Sequence, residues 1–431
     1  MQVILLAAGS SSRMAPISDK ALLKICGKSI IEHQIDTIYS SWISDFLIVC
    51  NKLNISEIKK ICEKKSWNFD FVIQEKQEDW MKWAIEACGK LAKEKVFIVS
   101  SNDIVEKSIF FEMLSASKKN NYFWVVCGKV VDSYFPGGYI SLNKEWFLVD
   151  IVEKPGEWNE PSNKINLVLH IWNDFKSFQQ KIWEFHNSTD DAYEKTIQYF
   201  CSHSSTKIKI VEYFGFWQAI KYPWHLFSLT NYFLNLQENW ENQISSEAKV
   251  SEKATLKGNG IIVEKWVKIY ENAIISGPCF IWKNTIIGSG AFLRESSIGE
   301  NCTIWFNSEI ARSLIQDKVW THNNYIWDSI IDKNVSFWAG TITWNLRLDE
   351  KEVSVEIKWK KIKTGLNKIW AFIGKNCRFW INWSLNPWIK IWENSMIWWS
   401  ISIVENVEKN SLVYWKFQLI KKPNLKQIKE R

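Results

Sequence analysis

From Val263 onward, apolar residues recur at every sixth position: Val263, Ile269, Ile275, Ile281, Ile287 and Leu293. After a one-residue slip the spacing continues through Ile298, Ile304 and Ile310. It returns at Ile373, Phe379, Leu385, Ile391, Ile397 and Ile403. A helix repeats at about 3.6 residues and a strand at about 2, so neither gives this period. A hexapeptide period predicts a parallel β-helix, with three hexads to a triangular coil and the aliphatic residue pointing inward.

The first half of the chain has another rhythm. The apolar runs VILLAA, DFLIVCN, FDFVIQ and KVFIVSSND alternate with the amphipathic runs KSIIEHQIDTIYSS, SEIKKICEKK and AIEACGKLAKE. Strands alternating with helices predict a doubly wound, mostly parallel α/β sheet with helices on both faces. The polar stretch LQENWENQISSEAKV predicts a linker. The expected organisation is an α/β domain over 1–235, a linker over 236–250, a left-handed β-helix over 251–420 and a basic tail over 421–431.

Composition narrows the class. With 431 residues, 46% hydrophobic and 23% charged, the chain reads as a soluble globular protein of two or three domains. The formal charge of +7 suits either a phosphorylated substrate or a slightly basic protein with no such preference. Nine cysteines form no CxxC pair, so neither a zinc site nor a disulfide framework is expected, and a reducing cytosol fits. The N-terminus reads as a first strand rather than a signal peptide. Without an apolar run of about 18 residues, no membrane span is expected.

Glycine and tryptophan are out of proportion. The chain has 17 glycines and 28 tryptophans, whereas average usage would give roughly 30 glycines. The corner slot directly after the inward aliphatic residue holds Gly288, Gly299 and Gly374. The same slot also holds Trp282, Trp305, Trp327, Trp338, Trp380, Trp392 and Trp398. Glycine suits a tight corner because it lacks Cβ, and tryptophan does not. The shared slot predicts that many of these tryptophans are glycines in the cell, as when a reassigned stop codon is read as glycine. The competing expectation is an aromatic ladder outside the coil. In a coil built with tryptophan, the indoles at 388, 392 and 398 should stand outward.

Two stretches carry candidate chemistry. In LLAAGSSSRMAPISDKALLKICGKSIIEHQ, a strand ends in a small polar loop. Backbone N–H groups of such a loop can wrap a triphosphate, with Arg13 and Lys20 adding charge. The stretch resembles the signature LAAG-x-G-x-R-M, with a downstream P-K-x-L, of the sugar-1-phosphate nucleotidyltransferase family. That resemblance implies Leu6, Ala8 and Gly9 against the nucleotide, and Arg13 and Lys20 on its phosphates. Ser11 stands where the second family glycine is usual, and Ser18-Asp19 where proline is usual.

Further segments are similar to the same family. QEKQEDWMKWA implies Gln74 as a base contact, with Trp80 in a family glycine position. SSND implies Asp103 as a Mg²⁺ ligand. FPGGYI implies Gly138 and Tyr139 at the sugar. The segment DIVEKPGEWNEPSNKINLVLHI implies that Glu153 and Asn166 hold sugar hydroxyls. GFWQAIKYPWHLF resembles a W-x-D-x-x-x-P-W segment, which marks Trp217 and Trp224 as true tryptophans. There Ala219 replaces a second metal-binding carboxylate.

The second stretch is THNNYIWDSIIDKNVSFWAGTITWNLRLDEK. A histidine near neutral pKa can take the proton of an attacking amine, and polar donors can steady the oxyanion. Read with glycine for tryptophan, it resembles the acetyltransferase part of archaeal-type bifunctional sugar-1-phosphate nucleotidyltransferase/acetyltransferases. The resemblance implies His322 as general base, and Tyr325, Asn345 and Lys351 as contacts to an amino-sugar phosphate. It also implies Ala339 near acetyl-CoA and Arg294 on a phosphate. Ala311 and Ser336 depart from a family lysine and asparagine.

The implied partners are a nucleoside triphosphate, a sugar 1-phosphate and acetyl-CoA, with no nucleic acid or membrane, in a homotrimer joined through the β-helix. The implied function is acetylation of an amino-sugar 1-phosphate and its coupling to a nucleotide. Two alternatives stay open: a thymidylyl- or uridylyltransferase whose β-helix is structural, and a non-catalytic regulatory subunit, which Ala219 favours.

Overall fold

A computed structural model of the chain describes residues 1–17, 19–75, 81–119, 122, 124–185, 191–203, 207–238, 241–343, 346–357 and 360–416. Ser18, Trp80, Asn345 and the expected tail 421–431 lie outside the described residues.

The first half is a nine-stranded mixed sheet between helices. Its parallel part is centred on Gln2–Leu6, flanked by Asp45–Cys50 and Val96–Ser100, with Asn68–Ile73 beyond. Lys164–Trp172 then joins antiparallel to Val96–Ser100 and to Trp124–Val130. Alternation sorts the two faces. Val3, Leu5, Phe46, Ile48, Phe97 and Val99 pack with Ile31, Ile35 and Ile109 on one side. Ile4, Leu47, Val49, Val96 and Ile98 pack with Ile85, Phe178 and Ile197 on the other. Successive strand residues point to opposite faces, so a strand buried on both sides reads as one apolar run. That is why VILLAA and DFLIVC looked uninterrupted.

The second half is a parallel β-helix. Its hexads stack as Ile269 on Ile287, Ile287 on Ile304, and Ile304 on Thr321. The one-residue slip makes a short coil, so Leu293 pairs with Ile310 and Ile298 with Ile315. The inward residues form one continuous core with Val263, Ile281, Leu385, Ile391 and Ile403. Coiling begins earlier than the hexads announced. Gln243–Ile244 and Lys249–Val250, inside the expected linker, already pair with Ile261–Val263 and Lys268–Ile269. Their exposed, polar residues hid the pattern, because a terminal coil covers only one side of itself.

The two halves are docked. The hairpin Lys24–Ile25 and Lys28–Ser29 follows the signature loop and lies on the coil. There Lys24 Nζ meets Asp317 at 2.6 Å, Gln316 brackets the Lys24 backbone, and Cys26 N–H donates to Ser297 Oγ. Gly27 turns this hairpin at φ +82°, and a Cβ there would come within 2.8 Å of Phe280. Met14, Ile17, Leu23 and Ile30 share a core with Phe280, Leu314, Phe372, Val353 and Val355. Val355 belongs to a second hairpin, Ser354–Ile357 with Lys360–Lys363, inserted between coils.

All nine cysteines are free thiols. Among the described residues no helix is long and apolar enough to cross a membrane. Of the indoles expected to stand outward, Trp398 is 39% exposed, while Trp392 and Trp388 are half-buried. Trp388 packs into the core between the halves, which explains its partial cover.

Candidate functional site

One cavity of about 480 Å³ opens at the carboxyl ends of the parallel strands. Its walls carry Leu6, Ala8, Gly9, Arg13, Lys20, Gln74, Asp103, Gly138, Glu153 and Asn166. Open α/β sheets bind ligands at this end of their strands. Of the candidates in this half, Tyr139 alone is not part of the wall. Its ring is buried and its hydroxyl accepts the Phe135 N–H at 2.8 Å. Its side chain braces the 135–138 loop that lines the cavity.

The signature loop is fixed by side chains. Ser11 is left-handed at φ 55°, which accounts for glycine being usual at that place. Asp19 accepts the Ala21 N–H and the Asn54 amide, each at 2.9 Å. Asn54 also donates to Ala7 O, and Asn51 to Ala8 O. Burial raises the Asp19 carboxyl pKa, and these bonds oppose the rise. The following Lys20 is thereby set on the cavity wall, with its Nζ 3.4 Å from Ile220 O.

Asp103 stands three residues past Val96–Ser100, at the start of the short strand Asp103–Val105, where Trp217 Nε1–H donates to its Oδ1 at 2.9 Å. Burial raises its pKa, while the Trp217 bond and the charges of Lys221 and Lys20 lower it. Across the short antiparallel pair, its register partner is Ala219. Among the described residues no group of three acidic, histidine or cysteine side chains gathers to hold a metal. One carboxylate is still compatible with Mg²⁺, which commonly takes one or two carboxylates and completes its shell with phosphate and water.

Two features escaped the sequence reading. Lys221 enters the cavity beside Asp103, its Nζ donating to Pro136 O and lying 3.6 Å from the Phe135 ring centre. Burial lowers its pKa to about 8, opposed by the Asp103 charge. The second is a buried chain behind Asn166. His170 Nε2 lies 2.8 Å from Asn166 Oδ1, and His170 Nδ1 lies 2.6 Å from the Tyr193 hydroxyl. Burial holds the His170 pKa down to about 3, so the ring is neutral. A neutral ring carries one N–H. Tyr193 O–H donating to Nδ1, and Nε2–H donating to Asn166, satisfies all three and turns the asparagine NH₂ away from the histidine.

On the β-helix the candidates lie along adjoining coils. Arg294 follows Leu293, and its guanidinium lies 4.3 Å from the Trp327 ring centre. Tyr325 stacks on Trp327 at 4.6 Å, and burial raises its phenol pKa, helped by the Glu309 charge. His322 is half-buried at the preceding corner, between Trp320 and Trp338. Gly340 N–H donates to Asn323 O, which stacks the corner of Ala339 on that of His322. Lys351 is exposed on the inserted segment. Arg312, which no motif flagged, grips Asp328 through two bonds of 2.7 and 2.8 Å.

A family model for nucleotidyl transferase matches residues 2–220. A bifunctional sugar-1-phosphate nucleotidylyltransferase/acetyltransferase of Sulfurisphaera tokodaii is 30% identical, covering 91% of this chain and 94% of its own length. The chain belongs to this bifunctional nucleotidyltransferase family. The bifunctional protein GlmU of Methanococcus vannielii is 31% identical, over 92% of this chain and 93% of that protein. The GlmU of Methanocaldococcus jannaschii is 28% identical over similar shares. These family relatives span the sheet domain and the coil together, so the pairing of the two halves is a family property.

Proposed function

We propose that the chain is a bifunctional enzyme of nucleotide-sugar synthesis. Its coil transfers an acetyl group from acetyl-CoA to an amino-sugar 1-phosphate. Its sheet domain joins a sugar 1-phosphate to a nucleotide from a nucleoside triphosphate, with UTP the first choice. The observation that carries this is one cavity whose walls bring together the loop cations, Asp103, Glu153 and Asn166.

In nucleotidyl transfer a phosphate oxygen of the sugar attacks the α-phosphorus, and pyrophosphate leaves. Arg13, Lys20 and Lys221 balance the charge on the phosphates, while Gln74 meets the base. Glu153 and Asn166 hold sugar hydroxyls and keep the attacking oxygen in line. Gly138 leaves room beside them, since a Cβ there would come within 3.3 Å of Glu153. Asp103 would hold Mg²⁺, which supplies further neutralisation of phosphate charge. In acetyl transfer His322 removes the amine proton as nitrogen attacks the thioester carbonyl, and the CoA thiol leaves. Arg294, Tyr325, Asn345 and Lys351 bind the sugar phosphate, and Ala339 lies by the thioester. A homotrimer through the coil and a cytoplasmic location complete this reading.

A coupled assay with glucosamine 1-phosphate, acetyl-CoA, UTP and Mg²⁺ tests it. Release of both free thiol and pyrophosphate is expected. Pyrophosphate from N-acetylglucosamine 1-phosphate, with no thiol from the amine, would leave the coil structural. Thiol alone would make the sheet domain non-catalytic.

A further inference from the structure

Five tryptophans hold the backbone in the left-handed region: Trp42 (φ 68°), Trp146 (64°), Trp158 (75°), Trp266 (61°) and Trp388 (59°). For a bulky side chain this region is a steric outlier, whereas glycine enters it freely. Four of these sites are turns that ordinarily call for glycine or asparagine. Trp42 N–H donates to Tyr39 O just past the helix Ile30–Tyr39, where a left-handed residue closes the last turn. Trp146 N–H donates to Asn143 O, and Asn143 N–H to Phe147 O. These bonds close the hairpin between Gly138–Leu142 and Leu148–Glu153 by a turn that ends on a left-handed residue.

Trp266 and Trp388 stand three residues after the inward Val263 and Leu385. Where the same slot is at positive φ in other coils it holds mostly asparagine or glycine, as at Asn272, Asn284, Gly290, Asn301, Asn307 and Asn334, with Lys318 and Ser400 the other occupants. Asparagine and glycine are the residues that visit this conformation routinely. Among the occupants of this slot the two tryptophans are the bulkiest side chains and the farthest from its asparagine and glycine preference.

Two more positions are anomalous for a separate reason, the space available to the side chain. Two residues before the inward residue, the prism in other coils takes side chains from Ala273, Thr285 and Ser308 up to Val319, Val335 and Ile401, none of them aromatic. At 383 this slot holds a tryptophan with 1% exposure, whose indole N–H is buried without a partner. A buried unpaired donor is destabilising. In the corner slot, Gly288 and Gly299 run so close to the next coil that a Cβ would meet its backbone at 2.8 and 2.6 Å. Trp327 shares that slot. Its ring lies under Arg294 at 4.3 Å and Arg312 at 4.9 Å, with Tyr325 stacked on it.

We infer that the chain made in the cell carries glycine at 42, 146, 158, 266, 327, 383 and 388, these codons being decoded as glycine, and that glycine at 327 opens the Arg294–Tyr325 face to a sugar phosphate. The consequence at 327 rests on the acetyl-transfer reading, and the residue's identity does not. Trp217 and Trp224 stay tryptophan. The first donates to Asp103 and the second is buried against Tyr222.

Tandem mass spectrometry of peptides from the protein isolated from its source cells tests the identities. Glycine at the seven positions, with tryptophan at 217 and 224, is expected. Tryptophan at 266 or 388 overturns the inference. For the open face, two recombinant chains with glycine at the other six positions are compared, one keeping Trp327 and one carrying W327G. Thiol release from acetyl-CoA and glucosamine 1-phosphate should rise by about tenfold or more in kcat/KM. Equal values reject the role at 327. If neither chain turns over, calorimetric binding of glucosamine 1-phosphate to the same pair decides it, because only an opened face binds more tightly. Such inactivity would count against the acetyl-transfer reading alone.

Discussion

Ala219 is the register partner of Asp103 across the antiparallel pair Trp217–Ala219 and Asp103–Val105. A carboxylate at 219 would share a ladder rung with the one already in the cavity, so the site has one half of a facing pair. A219D restores the other half. The apparent Mg²⁺ constant for pyrophosphate release should then fall by about tenfold or more, since a second hard oxygen donor joins the first. An unchanged Mg²⁺ titration would show that 219 does not face a metal.

The missing carboxylate has a counterpart in Lys221, two residues on, which enters the same cavity. If its ammonium helps carry phosphate charge, K221Q should lower kcat/KM for pyrophosphate release by about 10² or more, the range for losing one preorganised electrostatic contact. K221R should retain part of the activity. Acetyl transfer by the same chain serves as the control for folding. Full pyrophosphate release by K221Q would reduce Lys221 to a brace for Pro136.

The fold was legible because periodicity reports which side of an element is buried. The hexads Ile269, Ile287 and Ile304 stack as the period of six requires. The loop residues from Leu6 to Lys20 met at one cavity because a short chain segment cannot scatter them. Lys221 and His170 were not legible, since their roles depend on which strands lie side by side, and no local pattern encodes that. The place of the Tyr139 side chain was not legible for the same reason. Residues 138 and 139 alternate across the strand, so only Gly138 of the two faces the cavity.

The chain Tyr193–His170–Asn166 gives a positioning prediction. Y193F removes the donor to His170 Nδ1 and frees the ring to take its other tautomer, which leaves Asn166 unheld. The KM for sugar 1-phosphate should rise by about tenfold, as is usual when a partner orienting a ligand-holding group is lost. The KM for the nucleoside triphosphate should hold. A parallel rise in both constants would mean that Y193F merely loosens the domain.

His322 separates the two chemistries. H322A should lower thiol release by about 10²–10⁴, the usual contribution of a general base, and leave pyrophosphate release from N-acetylglucosamine 1-phosphate intact. The corner can tolerate the change, because the His322 backbone N–H is held by Asn324 Oδ1 and not by the ring. Wild-type thiol release from H322A would assign the base elsewhere.

Acid should unfold the sheet domain before the coil. Burial lowers the pKa of His33 and His225 from 6.5 to about 4, and that of His170 to about 3. In the unfolded chain each titrates near 6.5, so between pH 6.5 and about 4 the unfolded state binds more protons. Stability then rises with pH and is lost as pH falls through that window. Each fully neutral histidine contributes about 1.4 kcal/mol per pH unit there. His33 stacks on Phe233 at 3.9 Å and its Nε2–H donates to Ile25 O at 2.8 Å, so H33N should flatten the slope by removing one site. Urea midpoints at pH 7.5, 6.0 and 5.0, followed by a probe in the sheet domain, measure it. A midpoint that does not move between pH 7.5 and 5.0 would mean that these rings are already charged in the folded protein.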